Sequence, residues 1–367
     1  MFVKILRFIS LLGITALISC SKPSTDVASG SDFSRTDMLK QTADSLILPS
    51  LAMVQLNMHV LKTAADTFAY HKSEVNLTAL QNVWKQTVRS WQYLSPFDFS
   101  PGKQTTLDLN IYIASFPIDS AAVEAYKETG ASNQKGFYAM EVLLFPSNKN
   151  TAEITALFDQ ARIKHLNWLI DQVNLKLTSA KSDWDANYTS FVTDNTNNAG
   201  SSITYLFNAW LSPVGGYEAI KNFKIGQPMG LQICTSNGAS GICAFGARDY
   251  RRLEGFRSGI SLELIKIHWS QIKKVWYGSP KGFADYLQSV SNGQETVNQA
   301  ATDMADIDAR LALIPTNQPL RVTVESASQN SLVADLYTAL VKNTRNFKSE
   351  LVSKLGMTLT YSSGDGD

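Results

Sequence analysis

Residues 151–178, TAEITALFDQARIKHLNWLIDQVNLKLT, place apolar side chains at Ile154, Leu157, Phe158, Ala161, Trp168 and Leu169. Steps of three and four return each of them to one side of a helix of about 3.6 residues per turn. The spacing therefore predicts a helix with one buried stripe. Asn150 followed by Glu153 supplies a capping box at its start, each side chain answering the backbone N–H of the other. His165 lies on the same stripe, where a core histidine is the simpler reading than a metal ligand.

Working outward, the same periodicity runs through residues 38–70, 77–94, 200–211, 250–277 and 293–312. It recurs over 331–356 at Val333, Leu336, Leu340, Phe347, Leu351 and Leu355, with Gly356 placed as a C-terminal stop. Prolines such as Pro96, Pro117, Pro146, Pro213 and Pro315 fall in the joints. Alternating apolar and polar runs are scarce, so strands are expected to be few. A short loop or hairpin insertion is expected around 226–245. The fold class expected is all-α: two helical-bundle domains, 37–195 and 196–358, forming one compact body, with a disordered tail from 359 to 367. Trp84-Lys-Gln86-Thr-Val-Arg89-Ser-Trp91 and Trp269-Ser-Gln271-Ile-Lys-Lys274-Val-Trp276 share spacing and type. This echo raises the prospect of two related halves meeting near residues 190–215, against chance among seven tryptophans.

The N-terminus reads as an export signal. Lys4 and Arg7 precede an apolar run, Phe8–Ile18, too short to span a bilayer. The run closes on Leu17-Ile18-Ser19-Cys20, which resembles the lipobox of bacterial lipoproteins. The expectation is a signal peptide over 1–19 and a lipid on Cys20. A polar tether over 20–36 would leave the rest outside the cytoplasm, and the location expected is the cell envelope, at the outer membrane on its periplasmic or surface side. An ordinary secretory signal with a chance cysteine is the alternative. Of three cysteines, Cys20 is then consumed, and Cys234 and Cys243 bracket CTSNGASGIC, a pair suited to a disulfide in an oxidising compartment. A net charge of +1 gives no electrostatic case for a nucleic-acid partner. The partner expected is the membrane, through Cys20.

Several chemistries have no signature here: no His-Glu-x-x-His, no Gly-x-Ser-x-Gly elbow, no Walker loop and no dinucleotide fingerprint. Of four histidines, His71 stands three residues before Glu74, a weak metal spacing among polar neighbours. The unusual segment is Gly136-Phe-Tyr138-Ala-Met-Glu141-Val-Leu-Leu-Phe145. Tyr138 and Glu141 share a helical face, and Glu141 is the only charge in an apolar run. A carboxyl so placed either finds a partner or shifts its pKa, which makes it a site candidate. The structural alternative is a buried salt bridge to an arginine such as Arg89.

This segment resembles the signature of the imelysin-like family, in which Gly-x-His-x-x-Glu opens an apolar helix. Gly136, Glu141 and Leu143-Leu144-Phe145 match, while Tyr138 stands where the family has histidine. Other blocks follow in the family's order. They are Trp84 to Trp91, Phe116-Pro117-Ile118-Asp119, Lys224-Ile-Gly226-Gln-Pro228-Met-Gly230, Arg257-Ser258-Gly-Ile-Ser261 and Ile272-Lys-Lys-Val-Trp276-Tyr277-Gly278. Together they cover about residues 40–290. The resemblance implies two helical domains with a site at the cleft between them, in envelope lipoproteins tied to iron uptake. Envelope iron-transport components are the partners it implies. A metallopeptidase label also travels with the family. A zinc peptidase needs about three protein ligands and a base, and a tyrosine is a poor substitute for the missing histidine. Ferric iron accepts tyrosinate and carboxylate oxygens, so iron or another metal ion at Tyr138 and Glu141 is the cofactor expectation. The candidate ligand-binding set is Gly136, Tyr138, Glu141, Arg89, Arg257, Ser258 and Ser261. The first reading is a non-enzymatic binding protein. A metallopeptidase and a scaffold with a degenerate site are the alternatives.

Overall fold

The computed structural model describes residues 33–103, 107–128, 130–232, 246–278 and 281–360. Among them every regular element is helical, in agreement with the all-α expectation, and no helix is long and apolar enough to cross a membrane. Cys20, Cys234 and Cys243 lie outside the described residues, as does most of the expected insertion and tail.

Chain order begins with Arg35–Thr42 and passes through a π-helical turn, Ala43–Ile47, into Leu48–Tyr70. Helix Glu74–Leu94 folds back against Leu48–Tyr70, burying Leu77, Leu80, Trp84, Val88 and Trp91 along one face. The 151–178 stretch is two helices rather than one. Thr151–Leu157 starts on the expected Asn150/Glu153 capping box. A second helix, Gln160–Thr193, then begins on Asp159, whose carboxylate accepts from the Arg162 N–H. The break re-phases the stripe. Phe158 remains fully buried, whereas Ala161, expected inside, faces water, and Arg162 takes a buried position. An aspartate able to cap free N–H groups outcompetes continuation of the first helix.

The second half holds Ser202–Leu211, Ser261–Tyr277, Gly293–Leu313 and Asn330–Thr344, the last continuing through a π-helical turn, Arg345–Glu350, to Leu351–Leu355. Gly356, with φ of 61°, ends that run as its position implied. Its aromatic centre is Phe347 between Trp210 and Trp276, at centroid distances of 4.7 and 4.8 Å. The repeated Trp motifs lie on Glu74–Leu94 and Ser261–Tyr277, which pack against each other. The hydrophobic core is continuous from Met38 to Met357.

The expected 250–277 helix starts late. Residues Tyr250–Arg252 make a single 3-10 turn, and regular helix begins only at Ser261. Between them Gly255 and Gly259 take φ of 71° and 77°, a region that side-chain-bearing residues rarely enter. The apolar periodicity therefore continued across a segment whose backbone is a tight loop.

Candidate functional site

The Gly136–Phe145 segment forms a short helix, Phe137–Leu144, with every residue buried. So apolar and short an element needs its ends satisfied from outside. Trp84 donates its indole N–H to the Phe137 carbonyl, Gln81 donates to Leu144 O, and Arg162 donates to Leu143 O. Gly136 starts it with φ of 85°, and a Cβ there would stand 2.5 Å from the Ile113 carbonyl oxygen. Gly136 is thus a positioning residue that lets this helix approach another backbone.

Tyr138 and Glu141, on one face as the spacing implied, line a cavity of about 1130 Å³. Its other walls come from 116–120, from 246–252 and from Phe256, Arg257 and Glu325. Glu141 is 1 % exposed. Its Oε1 accepts from the Ser258 N–H at 2.8 Å and from the Ser258 hydroxyl at 2.7 Å. Burial pushes the Glu141 carboxyl up to about 7, with the Ser258 bonds and the nearby Arg257 opposing that rise. Arg89 is not its partner. Arg89 reaches Glu263 at 2.6 Å on the outer side of the helix pair, so the structural alternative of a buried Glu141–Arg89 salt bridge falls, and a serine clasp holds the carboxyl instead. Ser261 is buried at the first turn of Ser261–Tyr277 and does not line the cavity. Of the candidate set, the structure brings together Tyr138, Glu141, Arg257 and Ser258. Gly136 supports them from behind, and Arg89 and Ser261 stand apart.

Behind Tyr138 lies a polar cluster for which the sequence supplied no prompt. Lys224, on the π-helical stretch Ala219–Gly226, reaches Glu254 at 2.6 Å and also Gln92. Burial lowers the Lys224 ammonium despite Glu254 beside it. Burial and the charge of Glu254 push the Tyr138 hydroxyl well above its ordinary value. That hydroxyl has no hydrogen bond of proper geometry. His268 lies fully buried within the field of Lys224, and burial holds it well below the ordinary histidine value. His165, also buried, stacks on Trp168 and lies against Tyr126, as a core residue.

The donor set fits a bare metal ion poorly. A phenol this hard to ionise is a weak ligand, Glu254 is already held by an ammonium, and Ser258 occupies Glu141 Oε1. Among the described residues no three His, Cys, Asp or Glu side chains gather closely enough to share an ion. The cavity instead carries arginines from Ala247-Arg248-Asp-Tyr-Arg251-Arg252-Leu-Glu-Gly-Phe-Arg257. Of these only Arg257 was singled out from sequence. Four arginines in ten residues of a chain with net charge +1 was the signal that could have found the rest.

The imelysin family model, Peptidase_M75, matches residues 47–347. The chain belongs to the imelysin family. The blocks that carried the resemblance include 116–119, 136–145 and 257–258, which meet at this cavity. Among solved structures, an imelysin-like protein from Psychrobacter arcticum 273-4 is 20 % identical with a TM-score of 0.68. The match covers 90 % of this chain and 99 % of that one. A protein described as an iron-regulated protein A precursor, from Parabacteroides distasonis ATCC 8503, is 16 % identical with a TM-score of 0.64. There the coverage is 87 % of this chain and 97 % of the other. At these identities the likeness is one of fold. No curated protein matches.

Proposed function

We propose that this imelysin-family chain is a non-enzymatic ligand-binding protein of the cell envelope, anchored through a lipid on Cys20, that serves iron uptake from the Tyr138/Glu141 cleft. The observation that carries the reading is Glu141. It is a carboxyl withdrawn from water yet lining a cavity of about 1130 Å³, and it is held by a serine loop rather than by a structural salt bridge. Such a group costs stability where it stands, and a ligand in the cleft gives it a use. The iron link rests on the neighbour described as an iron-regulated protein A precursor, a description that also fits an exported chain. Binding is favoured over peptide hydrolysis because the described residues gather no set of the roughly three ligands that a catalytic zinc requires.

The test is to obstruct the cleft without altering its charge. Ser120 lines the cavity at the start of the short helix Ser120–Glu124, where a large side chain projects into the space. In a strain lacking this protein, wild type should restore growth under iron limitation, and a folded, exported Ser120→Trp protein should not. Full rescue by Ser120→Trp would overturn the reading. Chelator-sensitive peptide cleavage by the wild type would transfer the site to the metallopeptidase alternative.

A further inference from the structure

Four arginines line the cleft, and they are not equally committed. Arg251 forks onto Asp249 at 2.8 and 3.1 Å, and Arg252 also faces Asp249, at 3.9 Å. Arg257 differs. Its guanidinium donates to the hydroxyls of Ser120 and Ser147, at 3.1 and 3.2 Å, and lies over the Phe256 ring. Two neutral acceptors and an aromatic face hold the fork in place while leaving its charge, among the described residues, without a carboxylate in contact. Arg248 adds a second, exposed guanidinium to the same space. Planar forks of this kind suit carboxylate and phosphate groups, which they grip through paired N–H donors. The cavity also presents the rings of Phe116, Tyr250 and Phe256, so it offers apolar wall as well as charge. At about 1130 Å³ it is far larger than an inorganic ion and of the size that takes an organic molecule.

We infer that the cleft takes a small organic polyanion, several carboxylate or phosphate groups on an organic body, anchored by Arg257 with Arg248 as a second contact. This rests on the cleft being the ligand site and names the class of ligand it holds. Iron then enters as an anionic chelate whose own oxygens surround the metal, which removes the difficulty that the protein's donor set is too poor for a bare ion. Glu141 stands beside Arg257 as the buried acid of the floor, and an anion seated there favours its protonated form.

The measurement is calorimetric titration of the purified mature chain with citrate, ferric citrate, fructose 1,6-bisphosphate and uncomplexed metal ions in turn. At least one polyanion should bind, with affinity falling as salt rises. The citrate and bisphosphate arms separate carboxylate from phosphate, and ferric citrate against citrate separates chelate from free acid. Arg257→Gln should weaken that binding roughly tenfold or more, as loss of a charge-assisted pair does. Arg257→Lys, which keeps the charge without the fork, should fall between and guards against a folding defect. Glu141→Gln, by removing a negative charge from the floor, should tighten it. The inference is overturned if no polyanion binds at millimolar concentration, or if folded Arg257→Gln binds as wild type does. It is equally overturned if only an uncomplexed ion binds and Glu141→Gln abolishes it. Any of these would leave the growth defect of Ser120→Trp standing, so failure of the ligand class is separable from failure of the site.

Discussion

At the scale of single residues, Glu141 concentrates the energetic cost of the site. Its carboxyl rises from about 4.5 to about 7 because burial penalises the charged form. The folded chain therefore holds this proton more tightly than the unfolded chain. The resulting stabilisation is fully present below pH 4.5 and is lost as pH climbs through 7. Each pKa unit corresponds to about 1.4 kcal/mol, so the loss amounts to a few kcal/mol at most. Glutamine keeps the shape and the acceptor for Ser258 but cannot ionise. Glu141→Gln should be within about 1 kcal/mol of wild type at pH 5 and more stable than wild type, by about 1–3 kcal/mol, at pH 8. Chemical denaturation at the two pH values measures this. A variant less stable at pH 8 than at pH 5, relative to wild type, would mean that the carboxylate is compensated in the fold. Arg89 carries a lesson of the same scale. Its pair with Glu263 is half open to water, of the kind worth about 0–1 kcal/mol.

At the scale of elements, the helix Phe137–Leu144 is set by what lies before it. Its eight residues are too few to persist alone, and its position depends on Gly136 meeting the Ile113 backbone. Gly136→Ala should cost about 2–4 kcal/mol, from a positive φ that alanine disfavours and a Cβ with no space. Thermal or denaturant unfolding of the variant measures this, and a loss under about 0.5 kcal/mol would show that the helix can shift without penalty. The loop from Leu253 to Ile260 makes the complementary point. Periodicity alone continued it as helix, yet Gly255 and Gly259 turn it, so that Arg257 and Ser258 face Glu141. Two glycines four apart beside Ser258 were the local sign of this turn.

At the scale of the whole molecule, Glu74–Leu94 and Ser261–Tyr277 pack together and bring distant blocks to one cleft. The cluster of Gln92, Lys224 and Glu254 ties three separate segments behind Tyr138. The proposed anchor belongs to this scale as well, because it decides where the whole body is held. Cys20→Ala should move the protein out of the membrane fraction or leave it unprocessed, read by fractionation and intact mass. Wild-type fractionation with an unchanged mature mass would remove the lipid from the account.

The sequence by itself determined the helical class, the capping box at Asn150, the stop at Gly356 and the membership carried by the ordered blocks. These rest on near-neighbour spacing and on local backbone chemistry, which a linear chain displays. It also singled out Glu141, because one charge in an apolar run is visible without coordinates. Only the tertiary structure decided that Ser258 rather than Arg89 answers Glu141, that Ser261 lies outside the cleft, and that Lys224 and Glu254 stand behind Tyr138. The Glu141–Ser258 bond joins residues 117 positions apart, and the Lys224–Gln92 bond behind Tyr138 joins residues 132 apart. Which of several chemically suitable partners wins depends on how packed helices orient them, a quantity that spacing along the chain does not contain.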